Sequence, residues 1–403
     1  MKRMKRFYTF VCMLFCAVAS LSAQETATAT TTAVTTESTE TRLAKSEKRI
    51  AALEKVRQYV KLSAFMQGQY DWLSDTEGND KTGTSSFHLR RIRFTLAGDL
   101  YRGKKGARLD YRVYFDLCRI PKNPVLDMWI RYQPVKEFGV QFGQYKNPVT
   151  FEASISPSKY DFIDFSYVVS NLAKMGANDV TGLNETARDI GFQFFGGFIH
   201  RDGYSVINYN VGLLNGSGIN TKDNNKSKDI YGKLTIKPSK DLAMAAYYQW
   251  GEANLSSFTA EKYAEYGWTG SAEYVPMHRW GIGVNYDGKH AFARSEYIGG
   301  LTGSLASEGL YAEAGYRHHL PKNAGMLWAG GMVDYYCRNC FDYIHRDTKN
   351  AMIDMRYSFC LGYVPIKYFR VQLAYSLEHK INQTFGNGKK FGNGVKLMLT
   401  TSF

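Results

Sequence analysis

From about Lys61 to the C-terminus, apolar and polar residues alternate nearly one for one, again and again. In the run Ile92-Arg93-Phe94-Thr95-Leu96, the residues Ile92, Phe94 and Leu96, with Leu100 beyond, share one face of an extended chain. Arg91, Arg93, Thr95 and Asp99 share the other. Leu109, Tyr111, Val113, Phe115 and Leu117 stand against Asp110, Arg112, Tyr114 and Asp116. Leu126, Met128, Ile130 and Tyr132 stand against Asp127, Trp129, Arg131 and Gln133. At the far end Val395, Leu397, Leu399 and Phe403 oppose Lys396, Met398, Thr400 and Ser402. A period of two is the signature of a β-strand, because successive side chains point to opposite faces. Strands of this length with one apolar and one charged face fit a transmembrane barrel better than a soluble sandwich, whose strands are shorter and richer in turn residues.

Such segments fall at 60–72, 86–100, 107–117, 125–133, 137–145, 188–199, 203–214 and 228–237, then at 241–251, 279–287, 290–300, 309–318, 326–337, 350–363, 367–380 and 393–403. That makes sixteen, an even number, as a bacterial outer-membrane barrel requires. Connections after even-numbered segments are short, for example Pro134-Val135-Lys136 and Asp287-Gly288. Those after odd-numbered segments are mostly long, for example 146–187 and 252–278. Short turns at one rim and long loops at the other follow the same plan. The expected fold is all-β: a 16-stranded antiparallel transmembrane β-barrel over 61–403, ending on a strand with Phe403.

Composition closes off other classes. With 29 Tyr and 24 Phe the chain is neither collagenous nor disordered. Mean hydropathy is −0.36. Beyond the N-terminus no run approaches the roughly 18 apolar residues that a membrane helix needs. Met1 to Arg6 is basic, Phe7 to Leu21 is apolar, and small residues end at Ala23. Residues 1–23 therefore read as a secretory signal. Its removal takes four basic and no acidic side chains, so +14 becomes +10. A Thr-rich leader, 24–40, is expected to be unstructured.

Residues 41–60 place Leu43, Ser46, Ile50, Leu53, Arg57 and Val60 on a and d positions of a heptad. A short periplasmic helix is expected, either a lone amphipathic helix or a coiled coil if something else holds three copies together. Past the signal four cysteines remain, Cys118, Cys337, Cys340 and Cys360. Cys337-Arg338-Asn339-Cys340 lacks the second close pair that a four-cysteine metal site needs, which leaves a loop disulfide or free thiols.

Arg90-Arg91-Ile92-Arg93-Phe94-Thr95-Leu96-Ala97-Gly98-Asp99 followed by Tyr111-Arg112-Val113-Tyr114-Phe115-Asp116 resembles the early strand pair of the phosphate-selective porins O and P. Gly143-Gln144-Tyr145-Lys146-Asn147-Pro148 is similar to the run that leads into that family's pore-narrowing loop. These motifs cover residues 90–152. The resemblance implies a homotrimeric channel in the outer membrane of a Gram-negative bacterium, with phosphate or polyphosphate as favoured solute and no cofactor.

Sixteen strands leave a wet lumen, and 146–187 is longer than a passive connection needs. Part of it is expected inside as a constriction, the other reading being an external loop packed on its own trimer. Solutes would be sorted by width and by rings of charge, with Arg and Lys the groups that serve an anion. The candidate pore-lining residues are Arg91, Arg93, Arg112, Arg131, Lys146, Lys159, Lys174 and Arg188. Bracing of the wall by ion pairs is the competing role, since Asp99, Asp110, Asp116 and Asp127 share the early strands. Segment 146–187 sets Lys146, Lys159 and Lys174 against Glu152, Asp161, Asp164, Asp179 and Glu185. Local charge is thus neutral to mildly acidic, and the anion preference rests on the resemblance. Expected partners are small anionic solutes, outer-membrane lipid and copies of the same chain, with no metal. A general or differently selective porin is the nearest alternative. A barrel hydrolase drawing on His318, His319 or His345 is a further one without a nucleophile signature. Nucleic-acid binding lacks a clustered basic helix.

Overall fold

The computed structural model describes residues 39–74, 84–174, 186–223, 227–254, 274–343, 346–349, 351–385 and 388–403. The expected signal and the leader up to residue 38 lie outside these residues, and the last two leader residues, Thr39 and Glu40, are helical rather than unstructured. The chain divides after Lys55 into two units. The first is represented by helix α1, Thr39–Tyr59, whose last turn belongs to the second unit. It stands where the heptad pattern places a helix, with Leu43 of the a/d seam exposed.

The second unit is the barrel. Among the described residues sixteen strands form it: β1 Lys61–Leu73, β2 Thr84–Arg102, β3 Arg108–Asp116, β4 Val125–Val135, β5 Phe138–Lys146, β6 Arg188–Arg201, β7 Tyr204–Leu214 and β8 Asp229–Ile236. They continue as β9 Leu242–Asn254, β10 Tyr274–Asp287, β11 Ala291–Thr302, β12 Leu305–His319, β13 Met326–Asp342, β14 Met352–Ile366, β15 Phe369–Ile381 and β16 Phe391–Ser402. Each pairs antiparallel with its sequence neighbours, and β1 closes on β16 from Phe65↔Ser402 to Leu73↔Gly394. Closure removes the sheet edge, so no strand leaves its backbone groups unpaired in hydrocarbon, where each would cost several kcal/mol.

The alternation decides which way each side chain points. On β4 Met128, Ile130 and Tyr132 are exposed on the outside while Asp127 is buried inside. On β14 Tyr357, Phe359 and Leu361 face out, and Arg356, Ser358 and Cys360 face in. The outer surface is thus an apolar belt suited to lipid.

Three strands differ most from the sequence reading. β10 starts at Tyr274 rather than 279, carrying Pro276 within the paired region. β12 starts at Leu305, so the expected connection over 301–308 is a two-residue turn, Gly303-Ser304, with β12 pairing Leu305 to Thr302. Gly303 sits at φ 59°, which a tight hairpin of this kind needs. β13 runs on to Asp342. Their alternation is faint because Pro276, the small and polar run Ala306-Ser307-Glu308 and the bulge before Phe341 interrupt it.

The apolar core is inside the barrel. Val149, Ala153, Val168, Val169 and Leu172 of the long β5–β6 connection pack with Tyr145, Tyr231, Tyr247, Met277, Ile298, Tyr311 and Tyr336 of the wall. Tyr160 and Phe162 pack with Phe292, Trp328, Met332 and Cys360. Each fully buried Val, Leu or Phe contributes about 1.5–3 kcal/mol, so the segment folds inward, as expected of a constriction. The external-loop reading does not hold for residues 147–174.

Candidate functional site

The inward segment begins at Gly143-Gln144-Tyr145-Lys146. Gly143 has φ 128°, and a Cβ there would stand 2.2 Å from the Met128 carbonyl oxygen, so only glycine fits. Gln144 donates to the Val125 and Leu126 carbonyls, both at 2.9 Å, and accepts from the Asn220 amide at 2.6 Å. This ties the start of the segment to its neighbours.

Two short helices follow, α2 Phe151–Ser154 and α3 Tyr167–Leu172. Carboxylates on the far wall take up their free N-terminal amides. Glu296 accepts from Phe151 and Glu152 at 2.7 and 3.0 Å, and Asp334 accepts from Tyr167 at 2.6 Å. Arg356 links Asp334 at 2.9 Å to the Phe165 carbonyl at 2.6 Å. Asp161 is held by Arg317 at 2.8 Å and Arg370 at 3.4 Å, while its carbonyl accepts from Trp328 and Gln372. Asp164 is held by Lys396 at 2.5 Å and Arg90 at 2.9 Å.

Glu152 is fully buried. Its carboxyl takes the Ser166 amide at 3.0 Å and hydroxyl at 2.6 Å. Burial and the nearby Glu313 push it well above the ordinary carboxylate range. The hydrogen bonds agree. Tyr160 Oη lies within reach of both Glu152 and Glu313 but has one proton to give. Tyr160 donates to Glu313 at 2.9 Å and also meets Glu152, and Arg294 balances the Glu313 charge. Asp164 behaves in the opposite way. Burial works against its charge, but Lys396, Arg90 and Arg356 together hold it well below the usual range.

Two sizeable cavities flank the segment. One, of about 370 Å³, is lined by Arg90, Arg91, Arg93, Lys146, Arg188, Arg356 and Lys396, with Asp164 and Glu378 as its acids. Seven cations against two carboxylates leave +5. Counting also Asp116, Asp127 and Asp334, which back Arg93, Arg188 and Arg356, leaves +2. Pro157 lines this cavity. Its neighbours Ser156 and Ser158 line the other, of about 860 Å³, toward the short-turn rim, together with Arg112, Lys159, Arg317 and Arg370.

Tyr114 stands at the junction. The guanidiniums of Arg93, Arg112 and Arg188 lie 5.6, 4.7 and 5.6 Å from its ring centre. Arg93 is paired with Asp116 at 2.7 Å and Arg188 with Asp127 at 2.6 Å. Arg91 differs: it rests on Gln67 Oε1 at 2.9 Å, and among the described residues no carboxylate lies within 4.0 Å of it. The Lys146 ammonium is tied to the Ala153 carbonyl.

Of the eight residues expected from sequence, Arg91, Arg93, Lys146 and Arg188 meet in the smaller cavity. Arg112 and Lys159 line the larger one. Arg131 lines neither and braces the wall through two bonds to Asp110, at 3.0 and 2.7 Å. Lys174 pairs with Asp229 at 3.2 Å, away from both. Asp179, Glu185 and His345 lie outside the described residues. Sequence reasoning missed Arg90, Arg356 and Lys396. A register shift between Gln67 and Gly68 leaves Arg90 without a partner in β1, a bulge that turns it inward beside Arg91. Its signal is the switch of apolar residues from odd positions (Phe87, Leu89) to even ones (Ile92, Phe94).

Residues 60–243 match the family model of phosphate-selective porins O and P. The match covers just under half of the chain and, with the closed sixteen-stranded barrel, supports an outer-membrane porin. Among solved structures the porin is similar to the anion-selective porin from Comamonas acidovorans, at 11% identity and TM-score 0.58, covering 85% of this chain and 99% of that one. It is similar to Salmonella typhi OmpF in complex with daunomycin, at 11% identity and TM-score 0.59, with 85% and 97% covered. Pseudomonas putida OprB follows at 11% and 0.58, with 89% and 97% covered. At such identities these likenesses bear on the fold alone. Among curated proteins none matches.

Proposed function

We propose that the porin passes small anionic solutes by diffusion, with phosphate or polyphosphate favoured, from the outer membrane of a Gram-negative cell. The observation that carries this reading is the division of charge at the constriction. The acids of the inward segment are buried or bound to the far wall, while Arg91 faces the smaller cavity with no carboxylate of its own. A planar guanidinium offers two donors to a phosphate oxygen pair, and Lys146 adds a point charge beside it. Only a few such contacts keep binding weak enough for release. Chloride current through the purified porin in a planar bilayer tests this as phosphate is added. Millimolar phosphate should block it reversibly, and the block should fade in Arg91→Ala. Current indifferent to phosphate would overturn the preference.

A general or differently selective porin is favoured by one observation, the Asp116, Asp127 and Asp334 carboxylates that bring +5 down to +2. The homotrimer, the signal over 1–23 and a coiled-coil role for α1 belong to the same proposal. A hydrolase reading has one point in its favour at the short-turn rim: His200 meets Ser205 Oγ at 2.9 Å and Glu137 at 2.8 Å. Those side chains stand in open water, where the electrostatics that activate a serine are screened. Ester cleavage lost in Ser205→Ala would support it.

A further inference from the structure

We propose that Cys337 and Cys340 are a closable dithiol, a site of two-electron oxidation at the long-loop end of β13. The four described cysteines are free thiols, and the Cys337 and Cys340 side chains are near neighbours. In a regular strand, residues three apart point to opposite faces and cannot meet. Here the ladder with β12 jumps from Glu308↔Cys337 to Ala306↔Phe341, so Arg338, Asn339 and Cys340 all stand opposite Ser307. Asn339 turns the chain at φ 53°, its amide donates to Ser307 Oγ at 3.0 Å, and the Cys340 thiol donates to the Ala306 carbonyl at 3.3 Å. The bulge folds the two cysteines onto one another.

The other two thiols are placed elsewhere. Cys360 is buried on β14 against Gly330, and Cys118 follows β3 across the barrel. Among the described residues no group of three or more His, Cys, Asp or Glu is poised to hold a metal, so pairing is the chemistry this geometry serves. A chain exported to the outer membrane meets disulfide donors on its way. The Cys337 thiolate attacks one sulfur of such a donor, releasing the first donor thiol and leaving a mixed disulfide. The Cys340 thiolate then displaces the second donor thiol. The pair gives up two electrons and two protons, and the donor disulfide becomes two thiols. The bond would fix the bulge next to Tyr336, which packs in the same core as Val168 of α3.

The test treats purified porin in detergent with oxidised glutathione or with dithiothreitol, then counts thiols by maleimide labelling after denaturation. Oxidation should lower the count by two, and peptide mapping should join Cys337 to Cys340 within one chain. Cys337→Ser and Cys340→Ser, either of which suffices if the other fails to fold, should lose that drop of two. An unchanged count, or a bond to Cys118, Cys360 or a second chain, would overturn the proposal.

Discussion

Two walls of the same lumen use charge in opposite ways. On the β11–β16 side, Glu296, Asp334, Arg356, Arg317, Arg370 and Lys396 are occupied in holding the inward segment, down to its backbone amides and carbonyls. On the β2–β6 side Arg90 and Lys146 also touch the segment, but Arg93 and Arg188 are backed by single carboxylates and Arg91 by none. The difference teaches that lumenal charge cannot be counted residue by residue. A charge serves a passing solute only where the protein has not already used it, and the packed wall makes the other wall available.

The largest effect is expected from breaking the packed wall. Asp334→Ala strips Arg356 of its partner and α3 of its amide acceptor. Removing one member of a buried pair costs on the order of 3–5 kcal/mol. The segment should loosen, and single-channel conductance should rise and become noisy. Next comes the open wall. Arg91→Ala should weaken phosphate block by about tenfold, the equivalent of about 1.4 kcal/mol, while thermal stability of the barrel stays close to wild type.

A smaller effect concerns pH. Glu152 is raised in the folded state, so its contribution is fully present below the ordinary carboxylate range and is lost as pH rises through its raised value. Asp164 is lowered, so its contribution holds down through the ordinary range and is lost only on stronger acidification. Unfolding temperature should therefore decline from mildly acidic to mildly alkaline pH, and Glu152→Gln should flatten that decline. The smallest effect is expected from Arg131→Ala and Lys174→Ala, which line neither main cavity. Reversal potentials in these variants should match wild type. A large change would mean that the division between walls is drawn in the wrong place.

Sixteen strands were legible because a two-residue period with a charged inner face has few other physical meanings, and because loop lengths alternate with it. What failed to show were features set by partners far along the chain. Asp164 looked like a free acid in its own segment, yet Lys396, 232 residues later, neutralises it. Glu152 looked charged, and burial beside Glu313 keeps its proton on. Arg90 looked lipid-facing by parity, until a one-residue bulge turned it inward. Arg91 and Arg93 were legible as inward cations, but not that only one of them would lack a carboxylate.

The central claim is that the open wall makes this an anion path. Reversal potential in a planar bilayer under a potassium chloride gradient tests it directly, with wild type and Arg91→Glu side by side. A potential of the sign set by chloride, falling toward zero or inverting in the variant, is the predicted result. A cation-selective wild type, or identical potentials in the two proteins, would contradict it.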